Sequence, residues 1–82
     1  MTKLEFQHTF EDLVKLPHGS VQLTDSRATI KNWESFVDVD LMGIIEKELN
    51  IQVEAEIMEQ ETFGDLVQLL ESKGAFAGST TA

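Results

Sequence analysis

Three times along this chain apolar side chains recur three or four residues apart, a spacing that commits it to helices, each burying one face. Phe6, Phe10, Leu13 and Val14 carry the first stripe, Leu41, Ile45 and Leu49 the second, and Leu66, Val67 and Leu70 the third. Val37, Met42 and Ile44 flank the second stripe. A chain of 82 residues can bury only about 60% of its unfolded surface, so the stripes must share one compact core, with little room for an enzyme's enclosed cleft. No cysteine is present to staple that core. Disulfides, thiolate zinc sites and a cysteine nucleophile are therefore excluded, and any thiol chemistry would have to come from a cofactor.

The punctuation between the stripes sets the boundaries. Pro17 and Gly19 end a first helix predicted over 2–16. Residues 19–34 show no sustained period and are rich in Gly, Ser, Thr and Asp; they predict a long ordered loop pinned to the core by Val21, Leu23, Ile30 and Trp33. A second helix runs over 35–49 and stops at Asn50, after which Ile51 and Val53 anchor a short helical turn at 55–58. Thr62 with Asp65 three residues on is close to a capping box, and Gly74 ends the last helix. The expected fold class is all-α, a four-helix bundle with a long loop between helices one and two and a short third helix. Residues 1–73 form the domain, followed by a small, polar, flexible C-terminal tail over 74–82.

Fifteen acidic against six basic side chains give a formal charge of -9. That balance repels nucleic acid and anionic membrane and favours partners with basic patches. The acids cluster between Glu34 and Asp65, while Lys3, Lys15, Arg27 and Lys31 all precede Trp33, so the second half is the expected docking region. No stretch approaches the roughly 18 apolar residues of a membrane span, and the first residues lack the pattern of a targeting segment; a cytoplasmic protein is expected.

The segment Asn32-Trp33-Glu34-Ser35-Phe36 delivers a serine from the long loop to the start of an acidic amphipathic helix. The unpaired N–H groups and partial positive charge of such a helix start suit a phosphodiester on Ser35, whereas as a plain N-cap the residue would contribute only about 1 kcal/mol. Here the chain resembles the acyl and peptidyl carrier proteins, whose pattern is Asp-Ser-Leu, often after Trp, followed by a helix with an acidic outer face. The likeness continues through Val39-Asp40-Leu41 and Ile45-Glu46-Lys47-Glu48-Leu49 to Ile51 and Val53, and resumes at Thr62-Phe63-Gly64-Asp65-Leu66-Val67. Upstream, Leu16-Pro17-His18-Gly19-Ser20-Val21 is similar to the family's turn after helix one. The resemblance spans roughly residues 6 to 73. It implies a 4'-phosphopantetheine arm, derived from coenzyme A and placed on Ser35 by a phosphopantetheinyl transferase. The chain would then be a monomeric carrier that serves enzymes without catalysing anything, presenting acyl groups to loading, transfer or synthase enzymes. Trp33 before the motif is closer to carriers of polyketide, nonribosomal-peptide or related specialised pathways than to the fatty-acid carrier, and Met1 with the short tail suggests a free-standing protein.

Stepping about 100° per residue from Ser35 places Phe36, Val39 and Gly43 together with Asp40, Glu46 and Lys47, away from the apolar stripe. This face, with Glu34, is the expected partner-binding surface: Phe36 and Val39 for apolar contact, Glu34, Asp40 and Glu46 for steering. The sequence departs from the family at Glu34, where Asp is usual, at Phe36 for Leu, and at Lys47, which interrupts the acidic face. Gly43 in mid-helix should cost about 1 kcal/mol relative to Ala unless a partner or the arm approaches closely there. Glu34 and Phe36 keep open an alternative, an unmodified carrier-like adaptor that binds through the acidic helix alone. Asp25-Ser26 is a poorer attachment candidate because no acidic helix follows it. Asp38, Asp40 and Gly43 match part of a calcium loop, but Met42 and Leu49 then fall where oxygen ligands are needed. His8 and His18 are read as surface histidines, with no metal site.

Overall fold

The computed structural model describes residues 1–76. Among them the regular structure is helical, without a strand: α1 (Lys3–Leu13), α2 (Ser35–Ile44), α3 (Phe63–Ser72), a five-residue π turn (Ile45–Leu49) and a 3₁₀ turn (Ala55–Glu59). Over the described residues the fold is all-α, built from three α-helices and two shorter helical turns.

Each α-helix starts and stops for a local reason. Thr2 caps α1, its hydroxyl accepting the Glu5 N–H at 3.1 Å while the Glu5 carboxylate accepts the Thr2 N–H at 2.7 Å. The predicted extension to residue 16 does not form. Lys15 adopts a left-handed conformation (φ 63°), so the Leu16 N–H reaches the Glu11 carbonyl at 2.8 Å and the chain turns back before Pro17. Thr62 and Asp65 form the second capping box, at 3.0 and 3.4 Å. Gly74 (φ 91°) closes α3, with the Ala75 N–H on the Leu70 carbonyl at 2.9 Å.

The stripes meet as predicted, except that Leu13 and Leu49 are only partly buried. Phe6, Phe10 and Val14 face Phe63, Leu66, Val67 and Leu70 in one core, where the Phe10 ring lies 4.7 Å from Phe63 and edge-on to Trp33 at 5.0 Å. Along α2 and into the π turn the buried stripe is Val37, Leu41 and Ile45, whereas Leu49 is only partly buried, because the wider π turn carries it out of phase with the α-helical period. Asn50 in the left-handed conformation (φ 55°) ends that turn, and Ile57 of the 3₁₀ turn is fully buried beside α2. Ala75 and Phe76, expected in the flexible tail, are buried instead, with Phe76 packed 5.6 Å from Phe6. The remainder of that predicted tail, 77–82, lies outside the described residues.

Backbone bonds tie the long loop to the start of α3. Ser26 and Thr62 form an isolated antiparallel bridge, flanked by Arg27 N–H to the Glu61 carbonyl at 3.0 Å and Phe63 N–H to the Asp25 carbonyl at 2.8 Å. Val21, Ile30 and Trp33 are buried anchors, but Leu23 is 63% exposed. Its carbonyl, not its side chain, pins the loop, accepting the Gly64 N–H at 2.9 Å.

Candidate functional site

Ser35 occupies the first position of α2. The residue before it, Glu34, is extended (φ -113°, ψ 175°) and makes no side-chain capping bond, so Ser35 is not itself the cap. Val37 and Asp38 N–H groups bond to the Glu34 carbonyl at 2.9 and 3.4 Å, whereas those of Ser35 and Phe36 have no partner among the described residues. The serine is exposed, at a helix start whose first two N–H groups are unpartnered among the described residues.

The expected partner-binding residues are all exposed, four of them on α2, Glu34 just before it and Glu46 in the π turn that follows. Phe36 and Val39 are 54% and 57% exposed, large values for apolar residues next to a core, and Glu34, Asp40, Gly43, Glu46 and Lys47 are exposed as well. Nothing stands within 4 Å of where a Gly43 side chain would begin, so no contact within the molecule requires glycine there. Met58, on the 3₁₀ turn, adds another exposed apolar side chain.

Beneath this face lies a polar cluster that sequence reasoning missed. Asp38, 1% exposed, receives two parallel bonds from Arg27 at 2.9 and 3.1 Å and a third from the Trp33 indole N–H at 3.0 Å. Arg27 also donates to the carbonyls of Gln60 at 2.7 Å and Ile57 at 3.0 Å, and its guanidinium lies 4.3 Å from the centre of the Trp33 ring. The signal was present: Asp38 shares the face of Leu41 and Ile45, so a carboxylate in the buried stripe demanded a buried cation. This pairing also leaves no free Asp38 carboxylate for a calcium loop.

Glu11 is the second buried carboxylate, and it organises the turn after α1. Its two oxygens accept the N–H groups of Gly19 and Val21, both at 2.9 Å, with the Gln7 amide at 3.3 Å. Burial pushes its pKa up, but the bonds from Val21, Gly19 and Gln7 and the nearby His8 outweigh burial and hold it below the usual 4.5. His8 and His18, ten residues apart, are brought together: their rings stack at 4.2 Å, and His18 Nε2 lies 2.8 Å from Asp12. Among the described residues no group of three or more acidic or histidine side chains is placed to hold a metal ion, and no helix is long and apolar enough to cross a membrane. A groove lined by Lys3, Leu23, Thr62, Gly64, Asp65 and Glu71, among others, takes no residue from α2 and is separate from Ser35.

No protein-family description, curated protein or solved structure matches this chain.

Proposed function

We propose that this protein is an acyl carrier that holds acyl intermediates as thioesters on a 4'-phosphopantetheine arm attached to Ser35. The observation that carries the reading is the placement of an exposed serine hydroxyl at the first position of α2, beside two unpartnered N–H groups and next to an exposed Phe36 and Val39. These groups fit a phosphodiester: the helix start offers donors and positive potential, and the one carboxylate in the first turn, Asp38, is neutralised by Arg27. The arm would supply the thiol that a chain without cysteine lacks. What this chain's own residues do is bind, orient and present: α2 fixes the attachment point, Phe36 and Val39 offer desolvatable contact, and Glu34, Asp40 and Glu46 attract enzymes with basic docking patches. On this reading the three α-helices and the 3₁₀ turn are the four helical elements of a carrier domain.

The test is attachment itself. Incubation with coenzyme A and a broad-specificity phosphopantetheinyl transferase should add one phosphopantetheine to the intact mass of the parent and none to Ser35→Ala. A parent that gains no mass, even with transferases from its own source, would reject the carrier reading in favour of an unmodified adaptor working through the same face.

A further inference from the structure

Arg27 uses one side chain to contact four residues in three pieces of chain. Its Nη1 and Nη2 grip the Asp38 carboxylate in the first turns of α2, Nη2 also bonds the Ile57 carbonyl and Nε the Gln60 carbonyl, and its guanidinium lies against Trp33, two residues before Ser35. Its own N–H is tied to Glu61. The planar fork is what makes this possible, since a lysine ammonium is a point charge that cannot meet a carboxylate edge-on while capping two carbonyls. The Ile57 and Gln60 carbonyls mark the two ends of the segment that carries the exposed Met58, while Asp38 sits one turn beyond Ser35 and between the exposed Phe36 and Val39.

We infer that Arg27 is a positioning residue: it locks the first turn of α2 to the 3₁₀ turn, so that Ser35 and the apolar side chains on both elements are presented to a partner as one rigid surface. Its geometric half stands on the contacts alone; its functional half rests on the carrier reading above. Asp38 is the acceptor that aims the guanidinium, and Trp33 is the wall that keeps it there. Without the fork, the α2 start and the 3₁₀ turn would each keep their apolar anchors, Val37 and Ile57, but would open independently.

The experiment compares the full chain with Arg27→Lys and Asp38→Asn by amide hydrogen exchange and by steady-state kinetics of phosphopantetheine transfer from coenzyme A. Exchange at Val37, Asp38, Ile57 and Gln60 should accelerate together by at least about tenfold, with the interior amides of α1 and α3 unchanged. The KM for the carrier should rise at least about fivefold at nearly constant kcat, as expected when a recognition surface loses its preorganisation. Acceleration spread evenly over all helices, acceleration at one of the two segments alone, or an unaltered KM would overturn the inference. If Arg27→Lys does not fold, the near-isosteric Asp38→Asn carries the test. If the parent accepts no phosphopantetheine, the carrier reading fails, and exchange alone decides whether Arg27 couples the two segments.

Discussion

Glu11 shows how a single side chain can replace a stretch of secondary structure. By accepting the Gly19 and Val21 N–H groups it satisfies donors that the tightly turned chain after α1 offers to no carbonyl. Glu11→Gln keeps the shape but turns one acceptor into a donor facing an N–H, and should cost about 2 kcal/mol in urea unfolding at neutral pH. The pH dependence follows in sign: because the folded pKa lies below the ordinary 4.5, the stabilising effect is fully present above that value and is lost as pH falls through the lower, folded value. The gap between parent and Glu11→Gln should therefore narrow in acid, and a gap constant down to strong acid would contradict this role. Asp38 could have been read as buried from the face it shares with Leu41 and Ile45, but its partner could not, and Glu11 reads as the polar edge of a helix until its partners are known. Those partners, the backbone at 19–21 and Arg27, come from a loop with no periodicity to reveal them.

Elements were legible where local chemistry is self-contained. Thr62 with Asp65, the Gly74 stop and the Asn50 stop all involve residues within a turn of one another, and they form as the sequence predicts. The early end of α1 was not, since Lys15 takes a conformation usually left to glycine or asparagine. Two glycines separate helix propensity from packing. Gly43→Ala meets nothing within 4 Å and should stabilise the protein by about 1 kcal/mol in thermal or urea unfolding. If it weakens transferase binding at the same time, Gly43 serves a partner's approach. Gly64→Ala would place a Cβ 2.8 Å from the Leu23 carbonyl oxygen, where the flexible end of a side chain is not available to yield. It should destabilise by about 1–3 kcal/mol, and an unchanged unfolding midpoint would mean that the loop contact at Leu23 is not fixed.

Across the described residues, three of the five exposed large apolar side chains, Phe36, Val39 and Met58, lie on α2 and the 3₁₀ turn, the other two being Leu4 and Leu23. A formal charge of -9 disfavours self-association and, with acids at Glu34, Asp40 and Glu46 bordering Phe36 and Val39, concentrates negative potential where the carrier reading puts its partners. Replacing Glu34, Asp40 and Glu46 by their amides should slow association with a basic transferase by about tenfold at low salt and remove most of its salt dependence. Stopped-flow binding would check this, and a rate that ignores both changes would place recognition elsewhere. The all-α class and the exposed face were readable at this scale because they depend on periodicity, whereas the tie between α2 and the 3₁₀ turn depends on one arginine in the loop. That tie gives the chain an intrinsic optical reporter. Trp33 is the sole tryptophan, with a cation over its face and a carboxylate on its indole N–H, so both ground and excited states sit in a local electric field set by Arg27 and Asp38. Its emission wavelength should therefore register, without any label, each event that loosens the contact between α2 and the 3₁₀ turn.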